Sequence, residues 1–170
     1  MKMFHVKRFA KTLLVKGFFV FFLVTSCVAP RATVEINSYV LMENGKEILG
    51  RDKGLTAFLF ENNQRKEPFV TFLDQKYKVG NYVDVEYWIT IQGDRYKVLL
   101  YNNDEVEKYF DVTQFMVSNV ETDANIRSGA RFHAMSVINE RNEDCLADDS
   151  LYKNIVVKYL EALKDEYKRD

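Results

Sequence analysis

Two prolines, two cysteines, two histidines and one tryptophan are all that this 170-residue chain holds of those four types. The prolines, Pro30 and Pro68, are too few for a disordered stalk, and an aromatic content of 14% points instead to a packed core. Neither Gly-x-x-x-x-Gly-Lys-Ser/Thr nor Gly-x-Gly-x-x-Gly occurs, so the backbone cradles that hold phosphates are missing. That argues against nucleotide and dinucleotide enzymes. No internal repeat at a fixed period is visible. The apolar run Gly17 to Val24 has eight residues, far below the roughly 20 that a spanning helix needs.

What stands around that run is more informative. Lys2, Lys7, Arg8, Lys11 and Lys16 precede it with no acidic residue, and the small residues Thr25 and Ser26 follow before Cys27. A basic start, an apolar middle and small residues at the end form the layout of an export signal. Val24-Thr25-Ser26-Cys27 also resembles the lipobox of bacterial lipoproteins: an aliphatic residue, two small residues and a cysteine. The resemblance covers residues 1–27. It implies that residues 1–26 are cleaved, that Cys27 is acylated and becomes the first residue of the mature protein, and that residues 27–32 are a short tether. It further implies that Val28, in place of Asp, permits transfer to an outer membrane, with the domain on the periplasmic face.

Without residues 1–26 the remaining 144 residues hold 19 Lys+Arg against 25 Asp+Glu, a formal charge of −6. Residues 33–170 suit a single domain. An acidic surface speaks against nucleic acid as a partner, since the phosphate backbone demands a basic face. With Cys27 acylated, Cys145 has no partner for an intramolecular disulfide, so packing must supply the stability.

The periodicities predict a mainly β, α+β domain. Thr33 to Met42 reads as a strand, and Asn44-Gly45 as a tight hairpin turn. Leu55 to Glu61 and Phe69 to Leu73 read as short buried strands. Tyr82 to Gln92 alternates strictly, and Gly93-Asp94 is expected to turn it into a returning strand, Arg95 to Asn102. Asn103 to Phe110 reads as a short helix, Val112 to Val120 and Gly129 to Ile138 as strands. A terminal helix capped by Asp149 or Ser150 carries a stripe from Leu151 through Ile155, Tyr159 and Leu163. The expectation is an antiparallel barrel or strongly curved sheet of about seven to eight strands, with helices near 103–110 and at the C-terminus.

The residues that could carry chemistry are few. His133 is the one histidine after Cys27, so it could serve Ser136, Ser128 or Cys145, but no nucleophile-elbow pattern accompanies it and a structural role is expected. Cys145 lies among Glu143, Asp144 and Asp148, which discourage its thiolate. Glu140, Glu143, Asp144, Asp148 and Asp149 lack calcium-loop spacing and read as a solvated, helix-capping loop. Neither a metal nor a cofactor is expected. In the 82–102 hairpin one face gathers Trp88, Leu99 and Tyr101 beside Glu86, Thr90 and Lys97. That face is either covered by a helix or loop, or binds a partner through Trp88, Leu99 and Tyr101.

The functional expectation is a lipid-anchored, non-enzymatic binding or accessory protein of the bacterial envelope. It is held in the membrane by acyl chains on Cys27 and meets an envelope protein or a glycan. The alternatives are a lipocalin-like carrier of a small apolar ligand and a carboxylate-based envelope hydrolase.

Overall fold

Alternation along Glu86–Ile91 decides how the domain is layered. Tyr87 and Ile89 are buried on one side while Glu86, Trp88 and Thr90 face the other. In the computed structural model, which describes residues 34–35, 38–50, 52–62, 67–80, 85–116 and 131–169, this segment is the edge of a five-stranded antiparallel sheet. The described residues fall within one compact unit, Thr33–Asp170. In chain order the strands are β1 (Val34–Glu35), β2 (Val40–Met42), β3 (Ala57–Glu61), β4 (Glu86–Ile91), β5 (Asp94–Leu100), β6 (Phe115–Met116) and β7 (Phe132–Asn139). The helices are α1 (Phe69–Tyr77), α2 (Asn103–Tyr109) and α3 (Lys153–Arg169). The large sheet runs β2-β3-β7-β5-β4, and β1 pairs with β6 in a separate parallel pair.

The expected barrel is thus corrected to an open sheet. Closure is unnecessary because helices cover one face, and a helix and a loop cover much of the other. Central β7 is almost continuously buried from Phe132 to Asn139, the signature of a strand with structure on either side. On face one, Phe58, Phe60, Tyr87, Ile89, Tyr96, Val98, Met135 and Val137 pack against α1 and α3. On face two, Ala57, Leu59, Phe132 and Ala134 pack against Val106 of α2 and Phe110 and Val112 beyond it.

Local expectations also change: the stretch Thr33 to Met42 holds two short strands in different sheets, and Val112–Gln114 is a 3₁₀ turn ahead of β6, with 117–120 outside the described residues. Phe69 to Leu73 is helical. Phe69, Phe72 and Leu73 stand at i, i+3 and i+4 and bury one helical side, and the turn closes with Lys78 left-handed and its N–H on the Asp74 carbonyl at 2.8 Å. The hairpin turn falls on Gln92-Gly93, both at positive φ (54° and 98°), as a two-residue turn between right-twisted strands requires. Ile91 therefore pairs with Asp94, Trp88 with Lys97 and Glu86 with Leu99. This register differs from the expected one by two residues on the returning strand, so every side chain keeps its expected face.

Asn44-Gly45 does not make a tight hairpin: a loop of residues 43–56 separates β2 from β3. Helix α3 buries Val156, Leu160, Leu163 and Tyr167, while Leu151 precedes it and is 95% exposed. The docking side is therefore turned from the expected Leu151–Ile155–Tyr159–Leu163 line, and of those four only Leu163 is fully buried. The Tyr167 hydroxyl donates to the Glu67 carbonyl at 2.8 Å, tying the end of α3 to the start of α1.

Candidate functional site

Face two divides into a covered half and an open half. The covered half centres on Tyr101, 4% exposed, whose ring meets Tyr109 and Phe110 from α2 and its C-terminus. Helix α2 is fixed by a reciprocal cap: the Glu105 N–H donates to Asn102 Oδ1 at 2.9 Å and the Asn102 N–H to Glu105 Oε2 at 2.8 Å. Loop 43–56 crosses the same half. Ile48 and Leu55 pack on Leu99 and Ile138, and the Gly45 N–H donates to the Leu55 carbonyl at 2.8 Å.

Beneath the loop runs a directed chain of hydrogen bonds. Ser136 Oγ, fully buried, donates to the Thr56 carbonyl at 2.7 Å. The Tyr101 hydroxyl must then donate to Ser136 Oγ (2.8 Å), since it accepts the Lys46 N–H (2.8 Å). The Thr56 N–H continues to Asp144 Oδ2 at 2.7 Å, and Asp144 Oδ1 accepts from the Leu146 N–H at 2.9 Å. Lys46 Nζ donates to the Leu100 carbonyl and pairs with Glu105 Oε1, each at 2.9 Å. Burial pushes the Tyr101 phenol up to about 12, so it stays a neutral donor. Gly45 is obligatory here, because a Cβ would stand 2.2 Å from Tyr101 Oη and 2.8 Å from the Leu55 carbonyl oxygen. No spacing in the sequence announces this network.

The open half is carried by β4 and the start of β5. Trp88 is 45% exposed, with the Arg95 guanidinium 4.8 Å and Lys97 Nζ 5.6 Å from its ring centroid. Lys97 is also held by Glu86 at 2.8 Å, and Arg95 lies 4.0 Å from Glu140. The three residues singled out together in the sequence are therefore separated: Leu99 and Tyr101 are buried at 4% each, and Trp88 alone of them reaches solvent. Cys27 and Ser128 lie outside the described residues.

The other chemistry-bearing residues are engaged structurally. His133 sits on face one among the rings of Phe60, Phe69 and Tyr167, at centroid distances of 5.3, 4.8 and 5.7 Å. Its Nε2 is buried and has no hydrogen-bond partner among the described residues, and burial lowers its pKa to about 3. It is a neutral, half-buried imidazole packed among rings, and it faces away from Ser136 because the two alternate across β7. Cys145 is buried, with Sγ donating to the Glu143 carbonyl at 3.5 Å. In the acidic loop Asp144 is buried and accepts the Thr56 and Leu146 N–H groups, and Asp148, paired with Lys153 at 2.5 Å, has its carboxyl held below the ordinary range by that hydrogen bond. Among the described residues no group of three or more His, Cys, Asp or Glu is placed to hold a metal ion.

Clefts among the described residues include one of about 600 Å³ between Leu49, Asp52, Lys53, Arg141 and Asn142, one of about 290 Å³ between Asn44, Lys53, Thr56, Asp144 and Asp148, and one of about 280 Å³ between Arg95, Tyr96, Asn139, Arg141 and Tyr152. No described helix is long and apolar enough to cross a membrane. Comparison with protein-family models, with curated proteins and with solved structures finds no match to this chain.

Proposed function

We propose that this chain is a lipid-anchored protein of a bacterial envelope that works by binding, from the periplasmic face of a membrane, an outer membrane where the cell has one. The address rests on Val24-Thr25-Ser26-Cys27 behind a basic and apolar leader. The binding role rests on one observation: Trp88, the sole tryptophan, is 45% exposed on a sheet face whose other half is covered by α2 and the loop before β3. Large aromatic side chains cost solvation when exposed and supply much of the energy when a partner covers them.

The interior supports binding over carrying. Phe58, Phe60, Phe69, Phe72 and Tyr167 touch ring to ring between sheet and helices, filling the space an apolar ligand would need. A carrier calls for a contiguous apolar cavity instead. A carboxylate hydrolase calls for two free carboxylates across a cleft; of the acids in the cleft beside Thr56, Asp144 is engaged by two backbone N–H groups and Asp148 by Lys153.

The test of the address is fractionation of Cys27→Ser. Acyl chains contribute about 0.8 kcal/mol per buried CH₂, so their loss should move the protein from the membrane pellet to the soluble fraction. Continued pelleting that resists salt extraction would refute the anchor.

A further inference from the structure

We propose that β4 pairs edge to edge with β4 of a second copy of this chain, joining the two sheets into one about a twofold axis beside Trp88. The proposal deepens the binding reading above and rests on it, since it names what meets Trp88.

The ladder between β4 and β5 fixes where the backbone groups of β4 point. The Leu100 N–H donates to the Val85 carbonyl at 2.9 Å, so Val85 turns its backbone toward β5. Direction alternates along an antiparallel strand, so Tyr87, Ile89 and Ile91 also face β5, while Glu86, Trp88 and Thr90 face away from it. Strand β4 ends the sheet, and among the described residues no hydrogen bond reaches the backbone of those three. A row of N–H and C=O groups repeating every two residues, about 6.8 Å, is matched by the backbone of another extended chain.

The two edges of the sheet differ in their protection. Strand β2 has three residues, whereas β4 has six, contains neither Pro nor Lys, and pairs with β5 without a bulge. Short length, lysine, proline and bulges are the devices that keep an edge from pairing. Strand β4 uses none of them.

The order of residues on β4 selects a second copy. With the twofold axis beside Trp88, Trp88 meets Trp88 of the second copy, and Glu86 meets its Thr90 in both directions. All three outward residues are then paired and no charge stands opposite a like charge. Every other centre leaves one of the three without a β4 partner or sets Glu86 against Glu86. The same axis keeps the faces, placing Tyr87 opposite Ile89 on face one, where both are buried. Arg95 and Lys97 reach the indole from β5, the side opposite the incoming strand, so they stay on its ring and keep their pairs with Glu140 and Glu86. A contact in which each copy offers the same patch closes at two chains.

The test is the sedimentation mass of the full-length protein in detergent micelles over a range of concentrations. The expected result is the mass of two chains, returning to one on dilution. Thr90→Pro removes an N–H that faces the free edge and leaves the ladder to β5 intact, as proline on an edge strand can. The symmetric pair loses that bond twice, so association should weaken by about tenfold or more at a melting temperature close to the parent's.

Register is read by disulfide trapping in the Cys27→Ser chain, where the only other thiol, Cys145, is buried. An equal mixture of Glu86→Cys and Thr90→Cys chains should cross-link, because hydrogen-bonded partners stand about 5.5 Å apart at Cα. Either variant alone should not, its cysteines being four residues out of register, about 13 Å. A chain that stays monomeric at every concentration would overturn the proposal. So would a folded Thr90→Pro variant that associates like the parent, a mixture that fails to cross-link, or a single variant that cross-links as well as the mixture. If Thr90→Pro fails to fold, the mass of the unaltered protein and the cysteine mixture still decide. A monomer leaves Trp88 open to another partner, whereas a Trp88 inaccessible in the monomer would remove the binding reading itself, so the two failures are told apart.

Discussion

Tyr101 and Trp88 are large aromatic residues on the same face of the same sheet, and they meet opposite fates. Tyr101, one residue beyond β5, is roofed by α2 and by loop 43–56, and its hydroxyl is the middle link of a buried chain from Lys46 to Thr56. Trp88, across the hairpin on β4, has the side chains of Arg95 and Lys97 against its ring and is 45% exposed. The alternation of strand residues puts both on one face, but what crosses that face decides which becomes core. One half is specified by hydrogen bonds that leave no room for change, and the other is left available.

The largest effect is expected where the platform beneath both halves is broken. Leu163 is 2% exposed between α3 and face one, so Leu163→Asp should cost about 3–5 kcal/mol and lower the melting temperature by ten degrees or more, exposing Tyr101 and Trp88 together. Acid should act next. The folded pKa of His133, about 3, lies below the ordinary 6.5, so the unfolded chain binds a proton that the folded chain refuses. Stability present above pH 6.5 should fall as pH drops from there toward 3, and His133→Phe should flatten that part of the denaturation profile.

Smaller changes separate the halves. Gly45→Ala forces a methyl against Tyr101 Oη and the Leu55 carbonyl and should destabilise by about 2 kcal/mol in urea titration. Tyr101→Phe leaves the Lys46 N–H and Ser136 Oγ short of a partner and should cost about 1–2 kcal/mol. In the double variant the two costs should be less than additive, because removing Oη relieves the shortest overlap. Trp88→Ala should cost under about 1 kcal/mol, since the open half contributes little to folding.

Much of the layering was legible in the sequence. The alternation of Tyr82 to Gln92 assigns Tyr87 and Ile89 to the core, and they are buried there. The acids Asp104 and Glu105 mark the start of α2, although the cap is Asn102 and not Asn103, the residue that the sequence suggests. What could not be read depends on neighbours distant along the chain. Phe69 to Leu73 is as compatible with a buried strand as with a helix until α3 supplies Tyr167 for Phe69 and Phe72 to pack on. Asn44-Gly45 carries a hairpin signal, yet Gly45 is needed for its lack of a Cβ beneath Tyr101, 56 positions later. Turn placement on Gln92-Gly93 is likewise indistinguishable from Gly93-Asp94 by hydrophobic pattern, because a shift of two preserves both faces. Of the Trp88, Leu99 and Tyr101 group, the sequence placed all three on one face and could not show that loop 43–56 and α2 remove two of them from solvent.

The measurement that bears most directly on this division is acrylamide quenching of Trp88 in the folded protein, with the tyrosines left unexcited. An open half requires red-shifted emission and efficient quenching, approaching that of the urea-unfolded chain, at a temperature where Tyr101 remains buried by near-ultraviolet criteria. Blue-shifted emission that acrylamide barely reaches would contradict it, and would mean that face two is covered from β2 to β4.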